Sequence, residues 1–90
     1  MSARLLFKKA TTYRDSIVMR DSDAIMYAIN RDSSEGKLEG MYYVSKYPSL
    51  IVDSILDYFP DLNWSIEKVN DLYELKFSWN VLNVPKNEWE

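Results

Sequence analysis

The sequence predicts an α+β domain: an antiparallel β-sheet with one amphipathic helix, over about residues 48–59, packed on one face, closed by a C-terminal hairpin over 64–79. Three observations carry this. Tyr73, Leu75, Phe77 and Trp79 alternate with Glu74, Lys76 and Ser78, the period of two that a half-buried strand requires. Pro48 and Pro60 bracket a run in which Ile51, Val52, Ile55, Leu56 and Phe59 recur at helical spacing. Upstream, polar and turn-forming residues cut the apolar residues into short runs of strand length.

In chain order, Leu5-Leu-Phe-Lys8 reads as a first strand and Ser16-Ile-Val-Met19 as a second apolar run. Arg20-Asp-Ser-Asp23 reads as a tight turn. The run Ala24-Ile-Met-Tyr-Ala-Ile-Asn30 is apolar almost throughout, so its period does not separate a buried strand from a helix capped by Ser22; the turn before it favours the strand. Asp32–Lys37 is a polar loop, and Met41-Tyr-Tyr-Val-Ser45, entered through Gly40, is a strand.

The helix 48–59 starts with proline at its favoured first position and turns Ser49, Asp53 and Asp57 away from the apolar stripe. At three turns it is marginal alone, so it must pack on the sheet. In the hairpin, a two-residue Asn70-Asp71 turn of type I′ sets Val69 opposite Leu72, Ile66 opposite Leu75 and Trp64 opposite Phe77. That register gathers Trp64, Ile66, Tyr73, Leu75, Phe77 and Trp79 on one face, with Glu67 and Lys76 on the other. Residues 1–83 are expected to form a single domain and 84–90 a tail.

Ninety residues suffice for one hydrophobic core. The chain has no cysteine, which removes disulfides, thiolate metal sites and cysteine nucleophiles, and suits a reducing, cytoplasmic compartment. It has no histidine, which removes the usual general base near neutral pH and the commonest metal ligand. No apolar run has the length of a signal peptide's apolar core or of a membrane span, so a soluble protein without membrane contact is expected. The net charge of −3 is unevenly spread: residues 1–20 hold five basic residues against Asp15, or +4, and the remaining seventy hold six basic against thirteen acidic, or −7.

Little in this chain resembles a catalytic or metal centre. Asp21, Asp23, Asp32, Glu35 and Glu39 are rich in carboxylates, yet their spacing matches no calcium loop, and solvated turn residues are the stronger reading. Gly36-Lys37 lacks the earlier glycine and the following Ser or Thr of a phosphate-cradling loop. Without histidine or cysteine, a serine or lysine nucleophile needs a carboxylate or lysine as base, and no spacing singles one out. The expectation is a protein that is not an enzyme and holds no cofactor or metal.

Two kinds of binding remain. Arg4, Lys8, Lys9, Arg14 and Arg20 cluster around Phe7 and Tyr13, a composition compatible with nucleic-acid binding on strands, although the acidic remainder opposes it. The simpler reading is that Lys8 and Lys9 guard an edge strand. Seven tyrosines and three tryptophans exceed what so small a core consumes, and such residues anchor protein interfaces. Tyr42 and Tyr43 are adjacent on a strand, so one of them points outward. The expected partner-binding set is Tyr42, Tyr43 and Tyr47 with the carboxylates Asp53, Asp57, Asp61, Asp32 and Glu35. Tyr13 is a further tyrosine to test.

The segments Ile29-Asn-Arg-Asp32 and Glu39-Gly-Met-Tyr-Tyr-Val-Ser45, the helix from Ser49 to Phe59 and a late strand make a layout over residues 25–80 that resembles small acidic phage inhibitors of the anti-CRISPR type. It is a likeness of layout with no diagnostic motif, and the basic N-terminus departs from it, so no site residues carry over. What it implies is a phage- or mobile-element-type protein that blocks a larger host defence protein. The leading expectation is therefore a non-catalytic protein-binding module with acidic and tyrosine-rich surface. A nucleic-acid-binding domain using the first twenty residues is the alternative, and a self-assembling protein joined through a strand edge is the third.

Overall fold

The structure, a computed structural model, describes residues 2–80. Two helices and three strands follow in the order α1 (Ala3–Ser34), β1 (Glu39–Val44), α2 (Pro48–Tyr58), β2 (Asn63–Val69) and β3 (Leu72–Ser78). The class is α+β, as the sequence predicts, with a second helix that the pattern did not reveal. The expected tail 84–90 lies outside the described residues.

The largest correction is α1. The strands expected at Leu5–Lys8, at Ser16–Met19 and at Ala24–Asn30, with the turn between them at Arg20–Asp23, are one continuous helix, in which Ser22 is an interior residue and not a cap. No glycine or proline occurs before Gly36, so nothing interrupts helical backbone once it starts. Ser2 caps the start, its hydroxyl accepting from the Leu5 N–H at 3.2 Å. Hydroxyl side chains that would compete with the helix bond back into it instead, with Thr12 Oγ1 donating to the Lys8 carbonyl at 2.8 Å and Ser34 Oγ to that of Asn30 at 2.9 Å. The end is a Schellman motif: Gly36 takes φ 84°, its N–H reaches the Ser33 carbonyl, and the Lys37 N–H reaches that of Asp32, both at 3.0 Å.

α2 falls where the paired prolines place it. Ile51, Val52 and Ile55 are fully buried, and Tyr47, at the position before Pro48, is held in the left-handed region at φ 57°. The hairpin register is the expected one, with Val69 opposite Leu72, Ile66 opposite Leu75 and Trp64 opposite Phe77. Its turn differs in one respect: Asn70 alone takes positive φ, at 57°, where a type I′ turn uses two such residues.

β3 lies between β1 and β2 and runs antiparallel to both. β1 and β2 are thus parallel but not adjacent, a split β-α-β unit with α2 as the crossover. Tyr42 and Val44 of β1 share the inner face with Leu75, Phe77 and Tyr73, and both helices cover that face. Ile25 and Ile29 of α1 join Ile51, Val52 and Ile55 of α2, Val44, Leu62, Leu75 and Phe77 in one core. Trp79 docks beside it and donates from Nε1 to the Lys37 carbonyl at 2.7 Å, which ties the end of β3 to the loop after α1.

Candidate interaction surfaces

The outer face of the sheet is uncovered by any described residue. Its rows follow from register: Tyr43, Glu74 and Glu67 form one, Met41, Lys76 and Ser65 the next, and Glu39, Ser78 and Asn63 the last. Met41, Tyr43 and, at the edge, Trp64 are each about half exposed, at 50%, 52% and 50%. The lower rows line an open groove of about 590 Å³ between Glu39, Met41, Asn63, Trp64, Lys76 and Ser78. Trp64 belongs by register to the inner face, but β2 is an edge strand almost wholly exposed, so the indole lies beyond the helix layer.

The polar groups of this face are mutually engaged. Tyr43 donates to Glu74 Oε2 at 3.1 Å, and Lys76 pairs with Glu74 Oε1 at 3.3 Å. The bond to the Glu74 carboxylate holds the Tyr43 hydroxyl above its usual range, with that group's charge and some burial adding to it. Glu67, directly opposite Glu74, gives this end of the face a surplus of negative charge.

The expected partner-binding residues do not converge. Tyr42 turns inward and donates to Asp32 Oδ2 at 2.8 Å, while Arg31 and Lys37 approach Asp32 Oδ1 at 3.5 and 3.7 Å. The Tyr42 bond holds the Asp32 carboxyl below its ordinary value of 3.8; burial opposes this, and Lys37 and Arg31 reinforce it. Burial, then the Asp32 bond, push the Tyr42 hydroxyl far above its usual range. This pair clasps α1 to β1, and neither the groove nor the smaller cavity between Tyr58, Leu62 and Trp79 is lined by it. Glu35 is exposed and pairs with Lys37 at 3.3 Å, and Tyr47 is half-buried at the start of α2. Asp53, Asp57 and Asp61 are exposed on and just after α2, beside Leu50 and Tyr58. They lie on the helix layer, across the core from Tyr43, so no single flat partner touches both sets.

The five N-terminal cations sit on a helix and not on a strand, so Lys8 and Lys9 guard no sheet edge. At about 100° per residue they are spread around it, with Arg4 and Lys8 on one side, Lys9 and Arg20 on another and Arg14 on a third. Arg14 and Arg20 are already paired with Asp15 and Asp21, each at 3.1 Å. No one groove of nucleic acid meets all five. The same stretch leaves Leu5, Leu6 and Phe7 exposed, at 44%, 53% and 70%.

No family model, curated protein or solved structure matches the chain. Among the described residues no three carboxylates lie close enough to share a metal ion, and no helix is long and apolar enough to cross a membrane. The sequence missed Met41 and Lys76 as groove residues because their exposure depends on which face the helices cover. It assigned Trp64 to the core by correct register; only the width of the helix layer moves it out.

Proposed function

We propose that the chain is a non-catalytic protein-binding module that engages its partner with the open face of its sheet. The observation that supports this reading is the groove, where a thioether and an aliphatic-stemmed lysine, Met41 and Lys76, flank a recess with Tyr43 beside it and the half-exposed Trp64 at the sheet edge. Large side chains rimmed by polar groups are the composition of an interface centre. Glu39 and Glu67, both exposed, favour a partner that presents an apolar side chain flanked by basic residues, with association steered by charge. In its finer form the reading is an inhibitor of phage or mobile-element type acting in the cytoplasm, which occupies a working surface of a larger host protein. The layout resemblance and the acidic body support that form.

The test is affinity capture from host lysate using the wild-type chain and two variants, Trp64→Ala and Met41→Asp, with Tyr58→Ala as a control on the opposite layer. A stoichiometric partner held by wild type and control but released by both groove variants is expected. Equal capture by all four, or no partner at either low or high salt, overturns the reading.

A further inference from the structure

α1 carries two lengthwise stripes. Val18, Ser22, Ile25, Ile29 and Asp32 face the body of the protein. A second stripe runs from Ala3 to Tyr27, about a third of a turn away, at alternating intervals of three and four residues. Its first heptad position holds Ala3, Ala10, Ile17 and Ala24, and its fourth holds Leu6, Tyr13, Arg20 and Tyr27. Apart from Arg20 it is apolar, and it is uncovered: Leu6, Tyr13 and Tyr27 are 53%, 56% and 72% exposed, the alanines are exposed, and Ile17 is half-buried. The body approaches the stripe at Tyr13, where Lys46 Nζ lies 5.6 Å from the centre of the ring.

We infer that α1 packs antiparallel against α1 of a second copy through this stripe, giving a symmetric dimer. Two independent features select that occupant. The first is size. When two such helices run antiparallel, first-position residues meet fourth-position residues, and in the register centred near residue 15 the layers are Ala3 on Tyr27, Leu6 on Ala24, Ala10 on Arg20 and Tyr13 on Ile17. Three of the four set a small residue against a large one, the interdigitation that close helix packing needs. A parallel pair would stack Ala on Ala and Tyr on Tyr.

The second feature is charge. Within α1, residues 3–20 hold five basic residues against Asp15, or +4, whereas 21–34 hold Arg31 against Asp21, Asp23 and Asp32, or −2. Antiparallel pairing in this register lays residues 3–9 of each helix, with Arg4, Lys8 and Lys9, on residues 21–27 of its mate, with Asp21 and Asp23; parallel pairing lays positive on positive. In the same register Lys9 flanks the seam opposite Asp23, and the twofold axis makes this pair occur twice. The one like-charge meeting, Arg14 on Arg14 at the axis, is offset by the Asp15 carboxylate bonded to each guanidinium at 3.1 Å. The sustained seven-residue repeat also implies a left-handed supercoil.

Sedimentation equilibrium on the full chain tests this, with an expected mass of twice the 10.6 kDa chain that falls to one chain on dilution and more readily at high salt. Leu6→Asp combined with Tyr13→Asp, both exposed in the single chain, should give one chain mass at every concentration with an unchanged circular dichroism signature of the folded core. Lys9→Glu or Asp23→Lys should each weaken the dimer, and the double exchange should restore it. Because the chain has no cysteine, Lys9→Cys mixed with Asp23→Cys should yield a disulfide-linked pair under mild oxidation, and neither variant alone should. A wild-type chain that stays monomeric at all concentrations, a dimer indifferent to the Leu6 and Tyr13 changes, or a disulfide from Lys9→Cys alone overturns the inference.

Discussion

The hydroxyl of Tyr42 donates a 2.8 Å hydrogen bond to Oδ2 of Asp32, joining the inner face of β1 to the last turn of α1. Both partners titrate abnormally because of it, and in opposite directions. The Asp32 carboxyl is held below its ordinary 3.8 in the folded chain, so its contribution is present above that value and is lost as pH falls through and below it. The Tyr42 hydroxyl is raised above its ordinary 10.0, so its contribution is intact below pH 10 and is lost as pH rises beyond, where the unfolded chain ionises first.

Tyr42→Phe should therefore remove stability at neutral pH and flatten its dependence on pH at both ends. Urea unfolding of wild type and variant at about pH 3, 7 and 10.5 checks this. Parallel pH profiles for the two proteins would show that the clasp contributes nothing.

Gly40 lies two residues before Tyr42 on the same strand face, and a Cβ built there would collide with the Tyr42 ring and hydroxyl. The glycine is what lets the ring fold back over the backbone, beside Phe77 at a centroid distance of 6.3 Å, and reach Asp32. Gly40→Ala should destabilise by about 1–3 kcal/mol, the usual cost of forcing extra volume into a packed site. Thermal denaturation measures it, and a variant as stable as wild type would mean the ring has another resting place.

Ser22 is 1% exposed, and its hydroxyl has no hydrogen-bond partner among the described residues. Ser22→Ala removes an unsatisfied buried group and installs a better helix former. A gain of about 1 kcal/mol in denaturant unfolding is expected; a loss would mean that the hydroxyl is satisfied in solution.

Phe77 and Trp64 face each other across β3 and β2, yet one is 1% and the other 50% exposed. Phe77→Ala should cost about 3–5 kcal/mol, which consumes much of the stability of so small a domain. Trp64→Ala should cost distinctly less, which leaves the folded protein available for the capture experiment. Equal losses in calorimetry would place Trp64 in the core.

Elements whose signals are local were legible in the sequence. Pro48 and Pro60 mark α2 because proline's ring permits a helix start and forbids its continuation. The hairpin was legible down to its residue pairs, because a two-residue loop and a period-two pattern each force the same register. α1 was not legible, although the absence of glycine and proline before Gly36 was available as a signal. Its buried stripe includes the polar residues Ser22 and Asp32, so the apolar pattern breaks into short pieces that resemble strands. Asp32 is the clearest case: as a free carboxylate it belongs in a loop, and Tyr42, ten residues on, together with Lys37 and Arg31, makes its burial tolerable.

By itself, then, the sequence determined the α+β class, the helix α2, the hairpin with its register, the absence of cysteine and histidine chemistry, and the division into a basic beginning and an acidic remainder. These depend on neighbours along the chain, where backbone geometry and composition act directly. The tertiary structure decided that Tyr42 and Asp32 serve the fold, that Tyr43 and Trp64 are half exposed, and that the basic segment is a helix with an exposed apolar seam. Those outcomes depend on which face each element buries. That is a property of the assembled layers, where two helices cover one side of a three-stranded sheet and leave the other to water or to a partner.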